Sequence, residues 1–243
     1  TLALEIKNLV KLFGGLTATD NLSFDLEEGV SIGLIGPNGA GKTTVFSLIM
    51  GELQQTSGNI YLFGKDIRKF PTAERIRLGV SRTYQIPRPF IDLSVVENIR
   101  IGMMPNSIWA MIAEGPDLFK EKEMALSVGF SENDLDKAAS DLSMGDLRKL
   151  ELARTIATGA KVLLLDEVFA GLTKGEITQI SSLIQNLRSK GFTILMVSHD
   201  LPALEPLVDK IIAIERGKII ATGTFNDVIN DKNVRASYLG KAP

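Results

Sequence analysis

The chain has 243 residues, with 27 lysines and arginines against 29 aspartates and glutamates, a formal net charge of -2 and no cysteine. That length buries a substantial core, the charge balance supplies no basic surplus for a nucleic-acid backbone or an anionic bilayer, and the lack of cysteine excludes disulfides and thiolate chemistry and suits a reducing compartment. No window reaches the roughly 20 apolar residues of a spanning helix, and the opening residues show no basic-then-apolar leader, so membrane association is expected only through another chain.

Taken in chain order, branched apolar runs predict strands over 4–10, 21–26 and 30–36, the last entering a glycine-rich turn and a helix over 42–50. Alternation over 58–64 and the run at 80–85 add two strands, so this first part reads as antiparallel and mixed. From Asp92 to about Leu142 the composition turns to Met, Ala, Glu and Lys, with helices expected over 103–114 and 118–130 between Pro105, Gly115-Pro116 and Gly129. We read 92–142 as a small helical subdomain set into a domain spanning 1–243, a pair of ordinary crossover helices being the alternative. A helix from Gly145 to about Ala157 leads to an apolar strand ending at Asp166, followed by a helix over 174–188, a strand over 192–198 and a helix over 203–208. Continuous apolar strands alternating with helices mark a parallel sheet covered on both faces. Two short strands over 210–223 turn at Arg216-Gly217, and a helical extension over 225–243 is expected to pack on the outside.

The segment Gly36-Pro37-Asn38-Gly39-Ala40-Gly41-Lys42-Thr43, followed by Thr44, fits the glycine-rich phosphate loop at every fixed position, after a strand and opening a helix. Small residues let successive amides curl toward phosphates, and the helix adds its positive end. Lys42 places an ammonium between the β and γ phosphates, Thr43 offers a hydroxyl to Mg²⁺, and Thr44 reaches the α phosphate. Asp166 and Glu167 close the most apolar strand at the same sheet edge. Asp166 is expected to hold the Mg²⁺ water shell and Glu167 to polarise the attacking water, a helix cap being the bland alternative. His199, the only histidine, follows another apolar strand and is placed to contact the γ phosphate, unless it is an ordinary surface residue. Gln85 can ligate Mg²⁺ or the water through its amide oxygen. One histidine and no cysteine leave only oxygen ligands, which suits Mg²⁺ shared with phosphate.

These residues, with Leu142-Ser143-Met144-Gly145-Asp146 and the helix after it, resemble the ATPase subunits of ABC transporters over nearly the whole chain. The resemblance implies an α/β fold of the P-loop nucleoside triphosphate hydrolase class, ABC ATPase type, with an antiparallel β part and the inserted helical subdomain. It implies ATP hydrolysis with Mg²⁺, with Ser143 and Gly145 capping the γ phosphate held by an opposite subunit, so that sites form only in a head-to-tail dimer. It places Phe13 against adenine, simple core packing being the alternative, and Gln85 in the loop that meets the membrane subunit. Arg88-Pro89-Phe90-Ile91 would supply an apolar docking knob, or would be buried against its own subdomain. The chain departs from the pattern at Met144 and Asp146, where glycine and glutamine are usual, and at Thr173, usually aspartate or asparagine; these predict a working but slow ATPase.

Within the family, the stretch from Phe13, the run Ser81-Arg82-Thr83-Tyr84-Gln85 and the ending from Asp227 are most similar to the larger ATPase of branched-chain amino acid importers. That resemblance implies a second, different ATPase, membrane permeases and, indirectly, an external solute-binding protein, with this chain peripheral at the cytoplasmic face of the inner membrane and no nucleic-acid partner. Hydrophobic amino acids lead as cargo, with other small solutes open. The rivals are an ABC system for another solute, an exporter, a soluble non-transport ATPase of the same engine, and a non-catalytic nucleotide-binding module.

Overall fold

The computed structural model describes residues 1–104 and 117–239, Leu239 by its backbone alone. The helix expected over 103–114 falls almost wholly outside the described residues, with Pro105, Gly115, Pro116 and the last four residues of the tail.

Two sheets organise the chain. β1 (Leu2–Phe13) and β2 (Leu16–Glu27) form a hairpin and join β4 (Ser57–Leu62) and β5 (Lys65–Asp66) in an antiparallel sheet of order β2-β1-β4-β5. The second sheet contains β3 (Ser31–Ile35), β6 (Val80–Arg82), β7 (Val162–Asp166), β8 (Thr193–Val197), β9 (Lys210–Glu215) and β10 (Lys218–Gly223), in the order β10-β9-β3-β8-β7-β6. Its neighbours from β9 to β6 are parallel, and β10 returns antiparallel to β9. Arg216 and Gly217, at φ 49° and 77°, make the expected turn.

Helices cover the second sheet: α1 (Lys42–Met50), α2 (Thr72–Leu78), α3 (Val95–Met103), α4 (Leu118–Ser127), α5 (Met144–Ala157), α6 (Lys174–Ser189), α7 (Leu201–Leu204), α8 (Phe225–Ile229) and α9 (Lys232–Leu239). The two-residue period of β7 divides the core. Val162 and Leu164 face a cluster with Leu4, Ile6, Phe46 and Ile60, between the sheets and α1. Leu163 and Leu165 face a cluster built from α3, α5 and α6, including Ile99, Leu150 and Ile184. Every residue of β7 is buried, as a strand covered on both faces requires.

The structure revises the sequence reading in five places. The first two strands are twelve residues each, longer than expected, and α2 was not expected at all. β6 stops at Arg82 because the Tyr84 amide leaves the ladder and donates to Glu151 Oε1 at 2.7 Å. The helix expected over 203–208 is instead α7, capped by Asp200, then a 3₁₀ turn over Glu205–Leu207 containing Pro206, which has no amide to continue the helix. The tail does not merely lie outside: Val228 and Val234 are buried in the same cluster as Leu163.

Ser94 begins α3 with a capping box, accepting from the Glu97 amide while Glu97 accepts from its own. One turn on, the fully buried Asn98 accepts from the Phe90 amide at 2.9 Å and donates to the Phe90, Leu93 and Ser94 carbonyls. One amide side chain therefore fixes the segment leading away from Gln85. Asn98→Ala is expected to lower unfolding free energy by about 2 kcal/mol, the cost of orphaning buried polar groups, as read by urea denaturation.

Candidate nucleotide-binding site

The sheet register brings three segments to one edge. Leu34 of β3 pairs with Val197 of β8, which pairs with Asp166 of β7. The loop after β3, the carboxylates closing β7 and the residues after β8 therefore meet at the carboxyl end of the sheet, where open α/β sheets bind ligands. A cavity of about 320 Å³ opens there. Asn38 to Thr44 form one wall, Asp166, Glu167 and His199 another, and Phe13 and Gln85 also reach it.

The loop's shape follows from its glycines. A Cβ on Gly36 would stand 2.2 Å from the Ile214 carbonyl oxygen, and one on Gly41, whose φ is 106°, 2.4 Å from that of Ala18. The backbone is therefore pressed against β9 and β2 at points where no side chain fits. Gly41 leads into α1 without any side-chain cap, so the helix's first amides have no side-chain acceptor and point their partial positive charge at the cavity edge. Lys42 is buried, and its ammonium donates to the carbonyls of Gly36 at 2.6 Å and Pro37 at 3.1 Å. Burial pushes its pKa below the usual lysine value, against the opposing pull of Glu167 and Asp166. Thr43 is exposed and Thr44 half-buried beside it. Phe13, at the tip of the β1–β2 hairpin, is 43% exposed, with the Lys11 ammonium 4.8 Å from its ring centre. A ring so exposed is available for stacking rather than spent in the core.

Asp166 and Glu167 are adjacent in sequence but serve different surroundings. Asp166 is buried; its Oδ2 accepts from Arg82 Nη2 at 2.7 Å and its amide donates to Thr83 Oγ1 at 3.0 Å. Glu167 takes the left-handed backbone, φ 49°, a strained choice for a residue with a Cβ. That turn is held by its amide donating to the Val197 carbonyl and its carbonyl accepting from Ala170. It swings the Glu167 carboxylate toward His199, whose amide donates to Oε2 at 3.2 Å. The other oxygen, Oε1, is buried without a hydrogen bond; His199 Nε2 lies 3.2 Å away but is not aligned to donate to it. A carboxylate with one oxygen unspent beside the cavity is poised to accept a proton from a bound water.

Oxygen donors from Thr43, Asp166 and Gln85 share this cavity, and no group of three acidic, histidine or cysteine side chains among the described residues forms a metal cage. That donor set fits Mg²⁺ completed by phosphate oxygens and water.

Ser143 and Gly145 do not line this cavity. Ser143 caps α5, its hydroxyl donating to Asp146 Oδ2 at 3.0 Å and accepting from the Asp146 amide. The Gly145 amide donates to Glu176 Oε1 at 3.0 Å, and a Cβ there would meet that same oxygen at 2.6 Å. Glu176 in turn closes the capping box of α6 with Thr173, so Thr173, an unusual residue in sequence, acts as a helix cap.

Three features escaped the sequence reading. Arg82 pairs with Asp166 across 84 positions. Arg148 of α5, fully buried, donates to the carbonyls of Tyr84 at 2.7 Å and Gln85 at 2.9 Å and to Glu151 at 2.6 Å, bracing the Gln85 loop on the helix that follows Ser143. Burial pushes the Glu151 carboxyl up, against the pull of Arg148. Tyr238 of α9 reaches the phosphate loop: burial pushes its hydroxyl above the usual tyrosine value, against the opposing pull of the Gly36 backbone. The available signal was charge within otherwise apolar runs, as at Arg82, and an arginine and glutamate three apart on the inner face of a helix.

The family described as ABC transporter matches residues 19–170. The chain is 34% identical over 251 residues, 98% of each chain, to the high-affinity branched-chain amino acid transport ATP-binding protein LivG of Salmonella typhimurium. It is 33% identical over 239 residues, 98% of this chain and 97% of the relative, to the lipopolysaccharide export system ATP-binding protein LptB of Haemophilus influenzae. Among solved structures it superimposes on the ADP conformation of MJ1267, an ATP-binding cassette of an ABC transporter, with a TM-score of 0.88 and 30% identity, covering 99% of this chain and 100% of that one.

Arg148→Met is expected to cost about 3–5 kcal/mol of unfolding free energy, because it strands the buried Glu151 carboxylate and releases two carbonyls. Denaturant unfolding of the purified variant measures it.

Proposed function

Since this chain belongs to the ABC transporter family and is an ATP-binding cassette ATPase, we propose that it powers an importer of branched-chain or other hydrophobic amino acids. The observation that carries the ATPase chemistry is the single cavity uniting the phosphate loop, Asp166, Glu167 and His199. The amino-acid cargo rests on the likeness to LivG.

In this reading the amides of residues 36–44 and the Lys42 ammonium receive the β and γ phosphates, and Phe13 stacks on the base. Mg²⁺ held by Thr43, Asp166 and Gln85 would offset the charge that develops as the terminal phosphoryl group departs. Glu167 takes the proton of the attacking water through its free oxygen, and His199 holds the γ phosphate and orients Glu167. Ser143 and Gly145 lie away from this cavity and act on nucleotide held by a second, homologous ATPase subunit, in a heterodimer. In this structure both of their donors are satisfied by carboxylates, Asp146 and Glu176, which must yield to a phosphate; turnover is accordingly slow.

The segment 92–142 acts as the helical subdomain and 225–243 as a C-terminal extension. Ile86, Phe90 and Ile91 are 74%, 47% and 57% exposed, an apolar stretch suited to a permease loop. No described helix is long and apolar enough to cross a membrane. In this reading the chain docks on its permeases at the cytoplasmic face of the inner membrane. A solute-binding protein on the other side delivers the cargo.

Affinity purification from detergent-solubilised native membranes tests the assignment. Recovery of multi-span permeases, a second ATPase and a solute-binding protein is expected. Recovery of lipopolysaccharide-export components would make the chain an exporter subunit, and recovery of no membrane protein would remove the transport role. In the recovered complex, Glu167→Gln is expected to lower ATP hydrolysis by about 10²–10⁴-fold, the usual share of a general base, with nucleotide affinity within about twofold of the parent by fluorescence titration.

A further inference from the structure

Arg82 is a charged side chain sealed in the interior, 4% exposed, and the chemistry above makes no use of it. Its guanidinium stands between two sites. Nη2 donates to Asp166 Oδ2 at 2.7 Å. Nη1 donates to Glu52 Oε2 at 2.8 Å and to Ser47 Oγ at 3.0 Å, and Glu52 Oε1 accepts from the Tyr84 hydroxyl at 2.6 Å. The rings of Phe46 and Tyr84 hold the guanidinium in place, with centroids 5.6 Å and 4.9 Å away. Arg82 and Tyr84 also line a second cavity, of about 490 Å³, between α2, α3 and α5.

We propose that Arg82 is a positioning residue for the metal carboxylate, holding Asp166 by one oxygen so that the other serves the cation, and linking that orientation to the Glu52–Tyr84 pair. The inference rests on the reading of Asp166 as the Mg²⁺ carboxylate. Asp166 Oδ2 is spent on Arg82, whereas Oδ1 takes no hydrogen bond from the described residues. The Asp166 backbone is fixed separately, through Thr83 Oγ1. With Nη1 and Nη2 both engaged and the Phe46 and Tyr84 rings beside it, the guanidinium is held in one orientation, and so is the carboxylate it grips.

A purely stabilising salt bridge explains less. β6 and β7 are already joined by a ladder from Val80 to Arg82, and a buried ion pair is a poor source of stability compared with an apolar pair of equal volume. The charge count also favours positioning. Glu52 shares the guanidinium charge with Asp166, so Asp166 is not neutralised one-to-one and keeps attraction for a cation. Tyr84 is built into the arrangement by geometry: its hydroxyl donates to Glu52 Oε1 at 2.6 Å while its ring centroid stands 4.9 Å from the guanidinium.

The test titrates Mn²⁺ into this chain saturated with a non-hydrolysable ATP analogue, reading bound metal by electron paramagnetic resonance. Arg82→Lys keeps the charge but loses the two-pronged grip, and is expected to weaken Mn²⁺ binding about tenfold, the low end for removing an outer partner of a metal ligand. Metal-free analogue affinity, measured in EDTA, should stay within about twofold. Tyr84→Phe, which removes only the hydroxyl on Glu52, should weaken Mn²⁺ about two- to threefold, in keeping with one net hydrogen bond. Unchanged Mn²⁺ affinity in folded Arg82→Lys overturns the proposal, and if that variant does not fold, unchanged affinity in Tyr84→Phe overturns it. Asp166→Asn separates the two readings: Mn²⁺ affinity unaltered there defeats Asp166 as the metal carboxylate, whereas loss there with none in Arg82→Lys defeats Arg82 alone.

Discussion

An anionic side chain at the end of a strand sealed on both faces has to be matched by a cation, and this requirement runs through the structure. β7 buries all five of its residues, the last being Asp166. An unpaired carboxylate there would cost several kcal/mol. Arg82 arrives from the neighbouring strand to meet it, and Glu52 and Tyr84 follow because the guanidinium has further hydrogens to place. The left-handed turn at Glu167 then sends the next carboxylate the other way, toward His199 and the water side. Two adjacent acids acquire different work because one is gripped by an arginine and the other keeps an oxygen free.

A second buried arginine braces the Tyr84-Gln85 segment from the side of α5. Arg148 donates through Nη1 and Nη2 to the Tyr84 and Gln85 carbonyls and to Glu151, which itself accepts the Tyr84 amide. The Gln85 loop, which reaches the phosphate cavity, and the helix beginning after Ser143 are thereby joined, so movement of either is transmitted to the other. Glu176 adds a third connection, from the cap of α6 to the Gly145 amide. Rigid joints of this kind allow the loss of a phosphate contact to become a displacement of whole helices.

Much of this was legible in the sequence, for identifiable reasons. The phosphate loop is contiguous, and its requirements for small residues, a lysine and a hydroxyl are local. The apolar strand closing in Asp166-Glu167 announces its own burial, and the sheet edge that brings His199 and Gly36–Lys42 to it follows from parallel topology. The pairing of Arg82 with Asp166 and the grip of Arg148 on Gln85 were not legible, because each depends on side-chain direction between elements more than sixty positions apart. The first two strands were read short because Asn21, with positive φ, and the largely polar stretch 17–20 break the apolar run at register shifts while the ladder continues. The approach of Tyr238 to Gly36 was not legible either, since nothing local points the tail at the phosphate loop.

Calorimetric titration of ATP into the purified chain, with Lys42→Ala as comparison, tests the central claim most directly. The account predicts saturable binding of a single nucleotide per chain, abolished by the substitution while the fold persists by circular dichroism. Binding that survives Lys42→Ala unchanged, or no binding by the folded parent, would contradict it.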